Sequence, residues 1–386
     1  MLEHGGTDLG PAVAWDFSTN ANPSPQPERL SMALAGADRR RYPEPSYLHL
    51  RECLAQAGLG DAQRILPTAG SAEAIRRLTL KACLAGVTRV WTPWPGFGEY
   101  AAAAEALGLT VQPYRGINGL AEGVRACRAL GEHAPMLVWV CDPCNPTGRS
   151  LSESVWRQLA DLCADHDLTL AVDLAYQPLR WPQPPHAAPG QGALPACVSD
   201  IAWQLWSPNK ALGLTGVRAG ALVAPATAER PDIDRLLTLA PSWVLSAEGV
   251  ALLQAWCEPD VRAWLVNCAQ QLATWRDELA VELHALGWSL YTDAPTSRSV
   301  DRQPNPHDDQ LVHESGQGPV VPFLLAKPPE GESAAHVLQR CRAAGIRLRD
   351  ATSLGLPGWL RLRAHVPEAR HALLACLRTR QQAVRT

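Results

Sequence analysis

The sequence contains little lysine, since Lys81, Lys210 and Lys327 are the only three among its 386 residues. Any chemistry that needs a primary amine on a side chain therefore has three candidates. Positive charge is not in excess either: 35 Lys and Arg residues face 38 Asp and Glu residues, for a formal charge of −3. Dedicated nucleic-acid-binding proteins carry strongly basic surfaces, so the composition argues against that class.

Long apolar runs are also missing. The segment 136–141 is among the longest, and a membrane-spanning helix needs about 20 such residues. The first residues lack a basic region followed by an apolar stretch, which argues against a secretory signal. Eleven scattered cysteines, an odd number, favour reduced thiols over a disulfide framework. We expect a cytoplasmic protein without a membrane segment.

Strand and helix patterns alternate through the first two thirds of the chain. Such alternation predicts an α/β fold in which a mostly parallel sheet is flanked by helices on both sides. The run 136–141 is continuously apolar, as expected for a strand covered on both faces. The predicted strands are 88–92, 109–114, 136–141, 168–173, 201–206 and 218–223. Helices are predicted to begin after Ser46 and Ser71, and to cover 97–107 and 152–166.

The pattern changes after residue 246. A long helical region is predicted over 248–286, and the polar segment 295–318 is predicted to be a loop or a disordered insertion. A helix over 333–344, a strand over 359–363 and a helix after Pro367 suggest a smaller α+β domain. We predict an N-terminal arm with part of the small domain (1–40), a large cofactor-binding domain (41–250) and a small C-terminal domain (251–386).

Four predicted strand ends carry polar motifs. Ligands of open α/β sheets bind where the carboxyl ends of the strands point. The motifs are Thr68-Ala69-Gly70-Ser71-Ala72-Glu73, Asp142-Pro143-Cys144-Asn145-Pro146-Thr147-Gly148, Asp173-Leu174-Ala175-Tyr176, and Ser207-Pro208-Asn209-Lys210 with Gly216-Val217-Arg218. The first motif enters a helix, so its backbone N–H groups can hold a phosphate.

Together these residues match the needs of an aromatic aldehyde cofactor with a phosphate tail. Such a cofactor needs an amine to bond its aldehyde, a carboxylate at its ring nitrogen, donors to its phenolic oxygen and an anion clamp. Lys210 can supply the amine and Asp173 the carboxylate. The oxygen donors would be Asn145 and Tyr176, and the clamp would comprise Ser71, Ser207, Arg218 and the backbone around Gly70 and Ala72.

The motifs resemble those of fold-type I pyridoxal-phosphate enzymes, the class I/II aminotransferases in particular. The resemblance rests on Asn-Pro-Thr-Gly at 145–148, Asp173-x-x-Tyr176, Ser207-x-x-Lys210 and Gly216-x-Arg218. It implies pyridoxal 5'-phosphate as the cofactor, with Lys210 and Asp173 as catalytic residues. It also implies that Phe97 stacks on the cofactor ring, Arg361 binds a substrate α-carboxylate, and Tyr42 reaches the cofactor phosphate of a second subunit in a homodimer.

A narrower resemblance is to the threonine-phosphate decarboxylases of cobalamin biosynthesis. It rests on His4-Gly5-Gly6, on the run from Asp16 to Pro23, and on the segments 242–246 and 358–362. It implies decarboxylation of L-threonine O-3-phosphate to aminopropanol phosphate, with His4, Asn22 and Arg361 at the substrate. One motif departs from that group, because Asp-Leu-Ala-Tyr stands at 173–176 where Asp-Glu-Ala-Phe is usual.

Other interpretations remain open. The chain can be a histidinol-phosphate-like aminotransferase acting on another phosphorylated amino compound, or a catalytically silent binding relative. Arg363 lies two residues from Arg361 and competes for its role, while Arg347 and Arg349 can bind a substrate phosphate or be ordinary arginines. Phe97 can be a core residue. The Cys141-x-x-Cys144 pair has no second pair to complete a zinc site, so we assign it to packing and predict no metal.

Overall fold

A computed structural model describes residues 5–182, 194–291 and 320–383. His4 and the polar segment 295–318 lie outside the described residues. The strands are β1 (Trp15–Asp16), β2 (Ile65–Thr68), β3 (Arg89–Pro93), β4 (Thr110–Tyr114), β5 (Met136–Cys141), β6 (Leu168–Asp173), β7 (Ala202–Trp206), β8 (Gly220–Val223), β9 (Ser289–Leu290), β10 (Phe323–Lys327), β11 (Ile346–Arg347), β12 (Arg349–Asp350) and β13 (Leu360–Arg363).

Twelve α-helices accompany these strands in the described part of the chain. They are α1 (Glu28–Ala35), α2 (Leu48–Gln56), α3 (Ser71–Leu84), α4 (Glu99–Glu105), α5 (Gly116–Ala129), α6 (Glu153–His166), α7 (Ala196–Ser199), α8 (Arg230–Leu239), α9 (Ala247–Cys257), α10 (Pro259–Ala285), α11 (Ala334–Ala343) and α12 (Pro367–Ala383). No described helix has both the length and the apolar character that a bilayer crossing requires.

Seven strands form the large sheet in the order β2-β8-β7-β6-β5-β3-β4. All pairings are parallel except those of β8, which runs antiparallel to both β2 and β7. The predicted mostly parallel sheet is therefore confirmed. In the register of β5 with β6, Cys141 pairs with Asp173, so these two strands end at the same level.

Both faces of this sheet are covered, which explains the continuous apolar run of β5. Leu137, Trp139 and Cys141 pack into a core with α3, α4 and α8. The alternate residues Met136 and Val138, with their neighbour Val140, pack into a second core with α5, α6 and α7. Successive side chains of a strand point to opposite faces of the sheet. Because both faces are covered here, all six residues of β5 are buried.

Two smaller sheets lie in the C-terminal part of the chain. An antiparallel sheet has the order β12-β13-β10-β9, and β1 from the N-terminal segment pairs in parallel with β11. Phe17 next to β1 is fully buried in a core with residues of α10, α11 and α12. The domain boundaries at residues 40 and 250 remain predictions.

Some elements differ from the sequence-based expectation. The helical region 248–286 is two helices, since Glu258 adopts an extended conformation (ψ 134°) ahead of Pro259. A residue that precedes proline disfavours the α conformation, which explains this break. Helix α3 is capped by Gly70 rather than Ser71. The sequence did not predict helix α5, because it contains three glycines, which are unfavourable inside helices. At one of them, Gly123, a Cβ would lie only 2.3 Å from the Trp91 ring.

Candidate active site

A cleft of about 670 Å³ opens at the edge of the large sheet where β5 and β6 end. It is also bordered by residues of the N-terminal segment and of the small antiparallel sheet. Most of the side chains singled out from the sequence meet here. Those on the cleft wall are Ser71, Ala72, Phe97, Asn145, Asp173, Tyr176, Ser207, Lys210, Arg218 and Arg361.

Asp173 is the last residue of β6 and is almost completely buried. Its Oδ2 accepts a hydrogen bond from the Tyr100 hydroxyl at 2.8 Å, and its Oδ1 accepts one from the Ala175 N–H at 3.0 Å. Burial raises the pKa of Asp173, while the charge of Lys210 and these two donors act in the opposite direction. A buried carboxylate of this kind is stabilised by a cation within the cleft.

Lys210 lies in the turn that follows β7. Its Nζ is 5.0 Å from the centre of the Tyr176 ring. The backbone behind it is held by the N–H of Asn22, which donates to the Lys210 carbonyl at 2.8 Å. The Tyr176 hydroxyl accepts a hydrogen bond from Asn20 Nδ2 at 3.0 Å. The amine therefore projects from a fixed turn toward the aromatic side of the cleft.

The beginning of α3 forms an anion-binding corner. Gly70 has φ 88° and ψ 179°, a conformation open essentially to glycine alone, and a Cβ there would lie 2.6 Å from Arg218 Nη2. No described residue hydrogen-bonds the buried Ser71 hydroxyl. Ser207 Oγ, in contrast, donates to Asn209 Oδ1 at 3.1 Å. A helix N-terminus, a guanidinium and an unpaired hydroxyl together suit a phosphate group.

Arg361 of β13 reaches the cleft from the opposite side. One Nη donates to Asn145 Oδ1, and the other donates to the Ser18 carbonyl at 2.8 Å. Burial lowers the pKa of Arg361 to about 10, with a further lowering by Arg349, so the guanidinium stays charged near neutral pH. The hydrogen bond that Asn145 Oδ1 accepts from Arg361 orients the amide, whose Nδ2 is the donor that the sequence predicts for a cofactor oxygen.

Three further arginines were candidates for substrate binding on sequence grounds, and their contacts in the structure differ. Arg363 donates to the Ala21 carbonyl and to His365, which fixes it away from the cleft wall. Arg347 donates to the Gly6 carbonyl and to Asp8. Arg349 is buried, lines the cleft and donates to Ser353 Oγ at 2.6 Å.

Three of the residues chosen from the sequence do not line this cleft, and a fourth, His4, lies outside the described residues. Gly70 shapes the anion corner through its backbone only. Asn22 was expected at the substrate, but its Nδ2 donates to the Ala211 carbonyl and its Oδ1 accepts from the Ser24 N–H. It thus supports the Lys210 turn from behind. Tyr42 lies on another surface, stacked on Trp243 at 4.2 Å and 74% exposed.

Sequence reasoning missed Asn20 and Tyr100, and left Arg349 unassigned. Tyr100 lies three residues beyond Phe97 within the helix predicted over 97–107, so an aromatic pair at i and i+3 of that predicted helix was an available signal. Asn20 belongs to the run 16–23 but nothing local distinguishes it from Asn22. Its Nδ2 reaches Tyr176, a contact between residues 156 positions apart. Such a contact follows only from the fold.

The sequence profile described as "Aminotransferase class I and II" matches residues 15–375. The chain belongs to the class I and II aminotransferase family. Members of this family use pyridoxal 5'-phosphate, and the cleft residues described above fit that cofactor. The unpaired Ser71 hydroxyl beside Arg218 fits its phosphate, and the buried Asp173 carboxylate fits its protonated ring nitrogen.

The proteins to which this chain is similar have different activities. A histidinol-phosphate aminotransferase of Methylibium petroleiphilum is 27% identical over 91% of this chain and 86% of that enzyme. A similar enzyme of Synechococcus sp. is 29% identical, but the match spans half of its length. The threonine-phosphate decarboxylase of Salmonella typhimurium is 31% identical over 56% of this chain and 57% of that enzyme.

Solved structures agree on the fold. The histidinol-phosphate aminotransferase of Sinorhizobium meliloti in complex with pyridoxal-5'-phosphate has a TM-score of 0.73 at 17% identity. The comparison covers 97% of this chain and 92% of that one. The protein therefore has the fold-type I architecture that its sequence motifs predicted.

Proposed function

We propose that the protein is a pyridoxal-phosphate-dependent decarboxylase that converts L-threonine O-3-phosphate to aminopropanol phosphate, the reaction used in cobalamin biosynthesis. The observation that carries this proposal is the pair Arg349 and Arg361. Arg349 and Arg361 are both almost fully buried, and both line the cleft. A substrate with two anionic groups, a carboxylate and a phosphate, matches two arginines in one cleft.

The positions of these arginines strengthen the argument. Arg349 and Arg361 are direct partners across the antiparallel pair β12 and β13. Like charges directly opposite one another destabilise a sheet, so the pair is costly in the empty protein. Arg349 indeed contributes to the lowered pKa of Arg361. Binding of a dianionic phosphate and a carboxylate would relieve this repulsion.

The remaining residues have roles in the same scheme. When bound, pyridoxal 5'-phosphate supplies an electron-withdrawing ring that stabilises the electron pair left at Cα when the carboxylate departs as carbon dioxide. Asp173 would keep the ring nitrogen protonated, and Arg218 with Ser71 would hold the phosphate. Lys210 would hold the aldehyde through its amine, and the same amine would be the donor of the proton that replaces the lost carboxylate at Cα.

The test is incubation of the purified, cofactor-loaded protein with L-threonine O-3-phosphate. Release of carbon dioxide and aminopropanol phosphate without a 2-oxo acid supports the proposal. Lys210→Ala serves as the matched control and should release no gas. Product formation that depends on a 2-oxo acid, without carbon dioxide, would refute it in favour of an aminotransferase.

The second candidate is a histidinol-phosphate-like aminotransferase. The Methylibium relative favours it, because that match extends over 86% of the enzyme whereas the decarboxylase match covers 57%. Arg361 serves either reaction, since both require the α-carboxylate of an amino acid to be held. A catalytically silent relative is disfavoured by the joint presence of Lys210, Asp173 and Arg218 in one cleft.

We also propose that the protein acts as a homodimer in which Tyr42 serves the site of its partner. Tyr42 and Trp243 form an exposed aromatic pair, and Tyr42 lines a surface groove of about 820 Å³. We expect the partner subunit to cover this exposed aromatic pair. Mixing Tyr42→Phe with Lys210→Ala subunits should restore part of the activity if Tyr42 acts across the interface. Absence of any restoration would contradict this role.

A further inference from the structure

Residues 5–10, the N-terminal strap, border the substrate side of the cleft. Gly5, Gly6 and Thr7 lie on the cleft wall. The Gly6 N–H donates to Ser18 Oγ at 2.8 Å, and a Cβ on Gly5 would lie only 2.1 Å from the Ser18 carbonyl oxygen. That same oxygen accepts the hydrogen bond from Arg361. The strap therefore packs directly on the residue that helps to orient the proposed carboxylate-binding arginine.

The strap is fixed at its far end by one carboxylate. Asp8 Oδ1 lies 2.9 Å from Arg342 Nη2 and 3.0 Å from Arg347 Nη2. Arg347 also donates to the Gly6 carbonyl, and Arg342 also donates to the Pro11 carbonyl at 2.7 Å. Each arginine therefore makes two contacts here: one with the Asp8 carboxylate and one with a backbone carbonyl, either within the strap (Gly6) or next to it (Pro11).

The arginines themselves belong to firmly packed elements. Arg342 is in α11, and Arg347 is in β11, which pairs with β1. The Arg347 side chain is 10% exposed, whereas Asp8 is 53% exposed. The pKa of Asp8 is lowered by the Gly10 N–H and by both arginines, so the carboxylate is charged throughout the neutral range.

We propose that Asp8 is a positioning residue that holds the N-terminal strap against the cleft, so that the strap forms the wall beside the substrate anion that Arg361 binds. The substrate part of this inference rests on the proposed function. Loss of the Asp8 charge would release residues 5–7, admit water beside the substrate and weaken substrate binding. The cofactor residues Asp173, Lys210 and Arg218 lie at the end of β6 and in the turn between β7 and β8, outside the strap, and would be unaffected.

Asp8→Asn tests the inference, with Asp234→Asn as the matched control because Asp234 forms an exposed pair with Arg230 on α8. In the cofactor-loaded protein without substrate, amide hydrogen exchange over residues 5–10 should become at least about threefold faster in Asp8→Asn. KM for L-threonine O-3-phosphate should rise about threefold to tenfold with little change in kcat. The difference from the wild type should shrink at high salt, which screens the ion pairs.

Two results would overturn the inference. One is unchanged exchange over residues 5–10, and the other is faster exchange with an unchanged KM. The exchange measurement requires no substrate. Failure of the wild-type protein to release carbon dioxide would therefore refute the proposed function while the exchange result still decides the attachment by Asp8. KM would then be measured with the amino substrate that the wild type does convert.

Discussion

The hydroxyl of Tyr100 donates a hydrogen bond to Oδ2 of Asp173 across 2.8 Å in the fully buried layer beneath the cleft. The Tyr100 ring is stacked on Trp139 at 5.0 Å and meets the edge of Phe97 at 5.7 Å. One side chain thus connects the aromatic wall of the cleft with its buried carboxylate. We expect Tyr100 to fix the orientation of Asp173 and to adjust its proton affinity.

Tyr100→Phe should lower kcat/KM about tenfold while the fold is preserved. The ring packing remains, but the donor that lowers the pKa of Asp173 is lost, so that pKa rises. If the charged carboxylate is the active form, the acidic limb of the pH–rate profile moves to higher pH. The absorption spectrum of the bound cofactor should change with it. An unchanged spectrum and pH profile would assign Tyr100 to packing alone.

Asp173→Asn should alter the pH dependence of stability in the cofactor-free protein. Burial raises the pKa of Asp173 above its ordinary 3.8, so the folded protein binds this proton more tightly than the unfolded chain. The wild type therefore loses stability relative to the variant as pH rises through the folded-state pKa. Denaturant unfolding of both proteins from about pH 4 to about pH 8 measures the difference. A difference that does not change with pH would contradict the buried-carboxylate assignment.

Lys210→Ala should abolish covalent attachment of the cofactor and all turnover. The wild type should show an absorption band that borohydride shifts, and the variant should not. Lys327→Ala is the control, because Lys327 is exposed at the end of β10. Equal bands in the wild type and Lys210→Ala would refute the central assignment.

Arg349→Gln should separate substrate binding from stability. Removal of one of two facing like charges should leave the free energy of unfolding unchanged or slightly higher in the substrate-free protein. KM for L-threonine O-3-phosphate should rise about tenfold or more, and the preference over unphosphorylated threonine should fall. A strong loss of stability with unchanged selectivity would instead indicate a structural arginine.

The sequence predicted six of the seven strands of the large sheet, all except β2, and the polar residues at one of its edges, for a local reason. Strands such as 136–141 and 168–173 are marked by composition, and their ends carry polar residues that need no long-range information to be noticed. The boundaries of β5 and β6 were predicted to the residue.

What escaped prediction depends on contacts between distant segments. Asn20 and Asn22 differ only in which part of the folded chain they meet, Tyr176 for one and Ala211 for the other. Arg361 and Arg363 share a strand, and the choice between them follows from the partners Asn145 and His365. The partners of these side chains are determined by the tertiary structure and cannot be predicted from the local sequence pattern.

The reversal of β8 has a consequence for how the chain can change in length. Because β8 runs against its neighbours, its first residues lie at the edge where β2 and β7 end. The turn between β7 and β8 thereby places Lys210 and Arg218 at one edge, eight positions apart. Insertion of a residue there would separate or rotate the pair, whereas the connection 85–88 between α3 and β3 lies at the far edge. The length of the turn between β7 and β8 is thus constrained by the residues that it positions, whereas the length of connections at the opposite edge of the sheet can vary.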